Sequence, residues 1–286
     1  MARIGVQAMM LRDSFAEIGP YETLRKIADI GYRAVEISQI PMNEANVAEL
    51  ACAKTELGIE YAALSAQLEG EKGATPYPLA VDVERAVADC RRLGTSMLRI
   101  GMLPMRELSS EATILDYAKR AEKAAQALEA EGISLYYHNH HVEFAKMGGR
   151  HVLDLLAAEA PSMGLEIDVH WVQRGGLDPV RTLEKYAGRT AMVHLKDYRI
   201  GALSEEGVAA HESGNHAVFQ RHFWDTVQFA EVGEGNLDFA AIVPASIDAG
   251  AKYLLVEQDI LYGRTVFEAL QISYDNLVAL GFRDLF

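Results

Sequence analysis

Three observations in this 286-residue sequence predict an α/β protein folded as a single (β/α)8 TIM barrel. Eight short runs rich in β-branched and aliphatic residues recur from end to end, and stretches of helical spacing lie between them. No Pro/Gly/Ser-rich linker interrupts the alternation, so residues 1–286 read as one domain. Several runs end on a carboxylate or a histidine, and in such a barrel the carboxyl ends of the strands carry the chemistry.

In order, the predicted strands are Arg3 to Ala8, Arg33 to Ile37, Glu60 to Ser65, Ser96 to Gly101, Ile133 to His138, Gly164 to Val169, Ala191 to Lys196 and Tyr253 to Gln258. Amphipathic helices are expected at Tyr21 to Ile30, Ala45 to Leu57, Val81 to Leu93 and Glu111 to Glu131. Glycines stand just past several of these stretches, where a left-handed cap needs no Cβ. An open doubly wound sheet is the competing fold. It loses support because no Gly-x-Gly-x-x-Gly follows the first strand and no Walker loop is present. One segment breaks the rhythm: from Arg199 to Ala230 no period is sustained, and an irregular lid or interface insertion around 199–230 is expected.

Composition narrows the function. The formal net charge of -14 repels a phosphate backbone, and no Lys/Arg cluster offsets it locally, so nucleic acid is excluded as a partner. No eighteen-residue apolar run exists and the first residues read as a strand, so a soluble, cytoplasmic protein without membrane association is expected. Cys52 and Cys90 lack paired spacing and read as reduced thiols.

The densest chemistry lies in Tyr136-Tyr137-His138-Asn139-His140-His141-Val142-Glu143. Asp168, His194 and Glu257 close three other predicted strands. A divalent ion prepared for substrate chemistry needs a few rigid oxygen and nitrogen donors with positions left open. Glu143, Asp168, His194 and Glu257 supply three carboxylates and an imidazole, a set that suits Mn²⁺ first, with Mg²⁺, Co²⁺ or Zn²⁺ as alternatives. Strand alternation makes His138 and His140 point alike while Asn139 points away. The harder carboxylate of Glu143 is therefore assigned to the metal, with His138 and His140 as an acid/base pair or substrate clamps; whether His138 or Glu143 is the first ligand stays open. Glu143 and Glu257 could also serve in proton transfer. Lys196 could polarise a substrate carbonyl or neutralise the carboxylates, and Glu36 could bind a hydroxyl or form a salt bridge in the barrel wall. Trp171, Tyr137 and Trp224 could offer a platform for a sugar ring, and Asn139 joins the candidates for substrate binding. Met9 and Met10 read as barrel filler.

At these residues the chain resembles the xylose isomerase-like barrel superfamily, in its sugar phosphate isomerase/epimerase branch. The likeness spans nearly the whole chain. It is carried by Tyr137-His138-Asn139-His140 with Glu143-Phe144, Glu166-Ile167-Asp168 with Trp171, His194-Leu195-Lys196-Asp197, Val232-Gly233-Glu234-Gly235 and Val256-Glu257-Gln258-Asp259. The resemblance implies a divalent ion held by Glu, Asp, His and Glu, here Glu143 or the neighbouring His138, then Asp168, His194 and Glu257. It also marks a departure: the better-studied epimerases look as though they carry a glutamate near where His138 stands. A histidine there resembles branches acting on keto-sugars, including inosose dehydratases and C-glycoside-cleaving enzymes.

The expected function is a divalent-metal-dependent sugar isomerase or epimerase, acting through proton abstraction α to a carbonyl and a metal-stabilised enediolate. A keto-sugar dehydratase or other lyase is the alternative on the same site, and a non-catalytic sugar-binding barrel the remote one. The expected partner is a small-molecule sugar or keto-sugar, with homo-oligomer formation left open.

Overall fold

The structure, a computed structural model, describes residues 2–286. Eight parallel strands close on themselves: β1 (Arg3–Gln7), β2 (Ala34–Ile37), β3 (Glu60–Gln67), β4 (Met97–Ile100), β5 (Ser134–His138), β6 (Gly164–Asp168), β7 (Thr190–Leu195) and β8 (Tyr253–Val256). Each pairs with its sequence neighbours, and β8 pairs with β1 to complete the ring. Closure removes every exposed sheet edge from the barrel. The strands are buried on both faces because one face fills the barrel and the other meets the helices.

The helical layer follows from amphipathic spacing and from recognisable ends. Glu111–Glu129 is opened by a capping box between Ser110 and Thr113, and it buries Ile114, Tyr117, Ala118, Ala121, Ala125 and Leu128 against the barrel. Gly94 ends Leu79–Leu93 with φ +79, where any other residue would be strained.

Alternation stacks the inward side chains in layers. Along β5, Tyr136 and His138 share a face; along β6, Glu166 and Asp168 do; along β7, Met192 and His194 do. The bottom is plugged by Ala62, Ala63, Met97, Ala191, Met192 and Leu255, with Tyr136 and Tyr253 packed against them. Above lies a layer of charged side chains, and above that the carboxyl-end cavity.

The segment expected to be irregular is regular. Asp197–Ile200 pairs antiparallel with Val227–Ala230, and the ribbon carries two helices, Glu205–Glu212 and His216–Trp224, packed on each other. The second helix buries no residue, so the inside/outside contrast on which period reading depends is missing from the sequence. Trp224 is 69% exposed on this arm and forms no part of a sugar platform in the barrel. Among the described residues no helix is long and apolar enough to cross a membrane. Both cysteines are free.

Candidate active site

Four buried groups converge at the carboxyl end: His138 at the tip of β5, Asp168 at the tip of β6, His194 on β7 and Glu257 just past β8. One donor atom from each lies within 4.8 Å of the others. His194 Nδ1 is 2.8 Å from Glu257 Oε2 and 3.8 Å from Asp168 Oδ2, and His138 Nε2 is 3.5 Å from Asp168 Oδ2. Atoms bound about 2.0–2.3 Å from one ion stand roughly 3–4.5 Å apart, so the spacing fits a shared cation. All four atoms are buried and none makes a hydrogen bond of good geometry, although Glu257 Oε2 and Asp168 Oδ2 are ion-paired with Lys196 Nζ at 2.9 and 3.4 Å.

The other polar atom of each group is anchored. His138 Nδ1 faces the Gly101 carbonyl at 3.2 Å, and since a carbonyl only accepts, the proton sits on Nδ1 and Nε2 keeps its lone pair. Asp168 Oδ1 accepts from Trp171 N at 3.0 Å, capping the following short helix. His194 Nε2 lies 3.1 Å from Glu36 and 3.2 Å from Glu166. Glu257 Oε1 accepts from Gln7 Nε2 at 2.9 Å. Such outer contacts fix ring tautomers and carboxylate orientation in metal sites. The cluster can therefore hold a divalent metal ion.

Lys196, 2% exposed, is the built-in cation of this layer, with Nζ 2.9 Å from Glu257, 3.1 Å from Asp259 and 3.4 Å from Asp168. Burial opposes its charge, but the three carboxylates hold its pKa above the ordinary lysine range. Burial likewise works against an ionised Asp168, yet Lys196 and the neighbouring imidazoles keep it well below the usual range.

Below the cluster sit Glu36, Glu166 and Arg99. Arg99 Nε is 2.6 Å from Glu36 and 3.3 Å from Glu166, and Nη2 donates to Ser38 Oγ at 3.1 Å. Burial and the charge of Glu36 push Glu166 up to about 8, while Arg99 and His194 outweigh burial at Glu36 and hold it ionised. A cavity of about 320 Å³ opens above the site, lined among others by Gln7, Ser38, Arg99, His138, His140 and Lys196.

Several expectations are corrected. Glu143 does not enter the cluster: its Oε1 accepts from Tyr137 Oη at 2.7 Å and its Oε2 from His140 N at 2.8 Å. Tyr137 is adjacent to His138 and so faces the helices, taking Glu143 with it. Glu143 braces the loop that carries His140. Asn139 is fully buried and clamps the backbone of Asp168, accepting from Asp168 N at 3.1 Å, so it faces no substrate. Glu36 is the wall salt bridge rather than a hydroxyl ligand. Trp171 packs beside His140 and under Lys196 rather than lining the cavity. Met9 lines the cavity mouth instead of filling the barrel. His140 is half-buried beside His138, its Nδ1 unpartnered. Gln7 and Arg99 went unnoticed in the sequence, and Glu166 and Asp259 entered only as parts of the resemblance motifs, with no role of their own.

Asp197 explains the Val232-Gly233-Glu234-Gly235 turn. Its carboxylate accepts from the backbone N–H groups of Tyr198, Gly233, Gly235 and Leu237 at 2.8–3.2 Å. A side chain at Gly235 would strike that carboxylate.

A closed parallel barrel with buried donor groups at its carboxyl end is the architecture of a (β/α)8 enzyme. Residues 24–259 match the xylose isomerase-like TIM barrel family, and the chain belongs to it. No curated protein matches it in sequence. Among solved structures, a sugar phosphate isomerase/epimerase from Parabacteroides distasonis superposes with TM-score 0.75 at 19% identity, covering 99% of this chain and 96% of that one. L-ribulose 3-epimerase gives 0.66 at 17% over 100% and 96%. The probable 3-DHS dehydratase involved in petrobactin synthesis from Bacillus anthracis gives 0.64 at 15% over 97% and 99%. At these identities the likeness is one of fold.

Proposed function

We propose that this chain is a divalent-metal-dependent sugar isomerase or epimerase that removes the proton α to the carbonyl of a keto-sugar. The observation that supports it is the convergence of four buried, individually anchored donor atoms on His138, Asp168, His194 and Glu257. A divalent cation there, Mn²⁺ before Mg²⁺, Co²⁺ or Zn²⁺, supplies Lewis acidity that favours negative charge on the substrate's carbonyl and adjacent hydroxyl oxygens.

His140 is the base in this reading. Burial, with His138 adding to it, lowers its pKa to about 3, so the imidazole is neutral, with Nδ1 unpartnered and the residue lining the cavity. The protonated His140 returns its proton to the neighbouring carbon, which balances the transfer, while Glu257, its outer oxygen held by Gln7, stays ionised in the donor set. Lys196 balances the carboxylates and donates to a substrate oxygen from the cavity wall. His138 belongs to the donor set, its Nε2 being turned to Asp168, and leaves the acid/base role to His140.

One feature favours a second reading, elimination. Glu257 is the single glutamate in the cluster, so a pair of cluster glutamates on opposite faces of one carbon is not assembled. An enediolate formed by His140 can then expel a β-leaving group. His140→Asn should retain metal and lose about 10²–10⁴ in turnover. The measurement is solvent-deuterium incorporation at the α-carbon across a keto-sugar panel, with product analysis to separate isomer from eliminated product. Unchanged exchange in His140→Asn would remove histidine from the base role.

A further inference from the structure

The ribbon and two helices that follow β7 form an arm with almost no core of its own. Glu205–Glu212 buries only Gly207 and Ala210, and His216–Trp224 buries nothing. Helices this short are marginal in isolation, and so is a two-stranded ribbon. Yet the arm is rich in large apolar groups. His211, Phe219, Phe223 and Trp224 form a continuous row of rings, with successive centroids 4.8, 5.7 and 5.7 Å apart. Phe223 is 51% exposed, Trp224 69%, and Ile200, at the end of the first ribbon strand, 59%. So open an aromatic row marks a contact surface.

The distribution of charge indicates what covers it. The first helix carries Glu205, Glu206 and Glu212, whereas the second carries Arg221 with His216 and His222 and no carboxylate. Glu206 is engaged by His222 at 3.4 Å. Among the described residues Glu205, Glu212 and Arg221 enter no ion pair, and all three are exposed. We propose that the arm is the interface with a second copy of this chain, each copy's acidic helix lying against its partner's basic helix over a shared aromatic core. A two-fold axis makes such a surface self-complementary: when the acidic helix of one copy meets the basic helix of the other, the reverse contact follows. Exposed Trp and Phe beside an Arg are the usual anchors of a protein interface. Nucleic acid or an anionic membrane would instead meet the three glutamates.

The test is sedimentation velocity of the full chain over a wide range of concentration. The wild-type protein should form a concentration-dependent dimer, and Trp224→Glu should weaken it about tenfold or more. Arg221→Glu should weaken it about fivefold, and adding Glu205→Lys and Glu212→Lys to that variant should restore it, because the exchanged charges again face each other across the axis. These side chains are exposed, so each variant should keep the wild-type circular dichroism. A wild-type protein that stays monomeric, or a dimer indifferent to Trp224→Glu, would overturn the interface. Failure of the two lysines to rescue Arg221→Glu would overturn the crossed pairing of helices, and with it the proposal.

Discussion

Two layers of charged side chains sit one above the other inside this barrel, and they solve the same electrostatic problem differently. In the lower layer Glu36 and Glu166 are balanced by the guanidinium of Arg99, and Glu166, pushed up to about 8, keeps its proton at neutral pH. Its pairing is by charge, and both Glu166 oxygens lack a hydrogen-bond partner. In the upper layer Asp168 and Glu257 meet two imidazoles and share Lys196 with Asp259, and the four facing donor atoms are left with ion-pair contacts in place of hydrogen bonds of good geometry. Buried polar atoms are rarely left so, and a cluster of them marks a place built for something else. His194 joins the layers, with Nε2 directed down to Glu36 and Glu166 and Nδ1 directed up. The lower layer orients a ligand and the upper layer presents it.

The largest contrast should appear on removing one member from each layer. Arg99→Met strands ionised Glu36 in the barrel and should cost about 3–5 kcal/mol in denaturant unfolding of the ion-free protein. Asp168→Asn removes one of three carboxylates competing for Lys196 and should cost far less. Similar losses from the two variants would show that the layers do not differ in this way.

Next in size is the cation itself. At a free Mn²⁺ concentration 100 times its Kd, the ion should stabilise the fold by about 2.7 kcal/mol, and chelation should reverse this. Asp168→Asn should lose the effect. A melting curve indifferent to Mn²⁺ in the wild-type protein would count against the upper layer as a metal site.

The cation should also compete with a proton. Burial opposes charge on His194, but Glu166, Glu257 and Glu36 raise its pKa well above the ordinary 6.5 in the ion-free protein. The proton's contribution to stability is thus full below about pH 6.5 and is lost as pH rises through the raised folded value. Metal binding must displace that proton, so affinity should climb by up to about tenfold per pH unit while His194 remains protonated. Titrations from pH 6 to 8 in buffers of different ionisation enthalpy would show it. No proton release and a flat affinity would remove His194 from the donor set.

The smallest effect is expected at Glu143, which belongs to neither layer. Glu143→Gln should leave metal stoichiometry unchanged and cost on the order of 1 kcal/mol, through weaker acceptance from Tyr137 and His140. Metal loss in this variant would restore Glu143 to the cluster.

The sequence by itself determined the barrel. Strand runs such as Tyr253-Leu254-Leu255-Val256 and the helical spacing of Glu111–Glu129 are local patterns, and they end within a residue or two of where they were expected. The run-end positions of Asp168, His194 and Glu257 were legible for the same reason: in a parallel barrel a strand end is a place in space. The choice between His138 and Glu143 was not. Donor hardness favoured the carboxylate, but the face of the strand decided, since Tyr137 points outward and its hydroxyl draws Glu143 with it. Arg99 reads as an ordinary strand residue because its partner Glu36 stands 63 positions away, and His194 reaches the same Glu36 across 158. Ring closure alone brings such distant residues into contact, and so only the tertiary structure could show one charged layer built around a guanidinium and the other around an ammonium and two imidazoles.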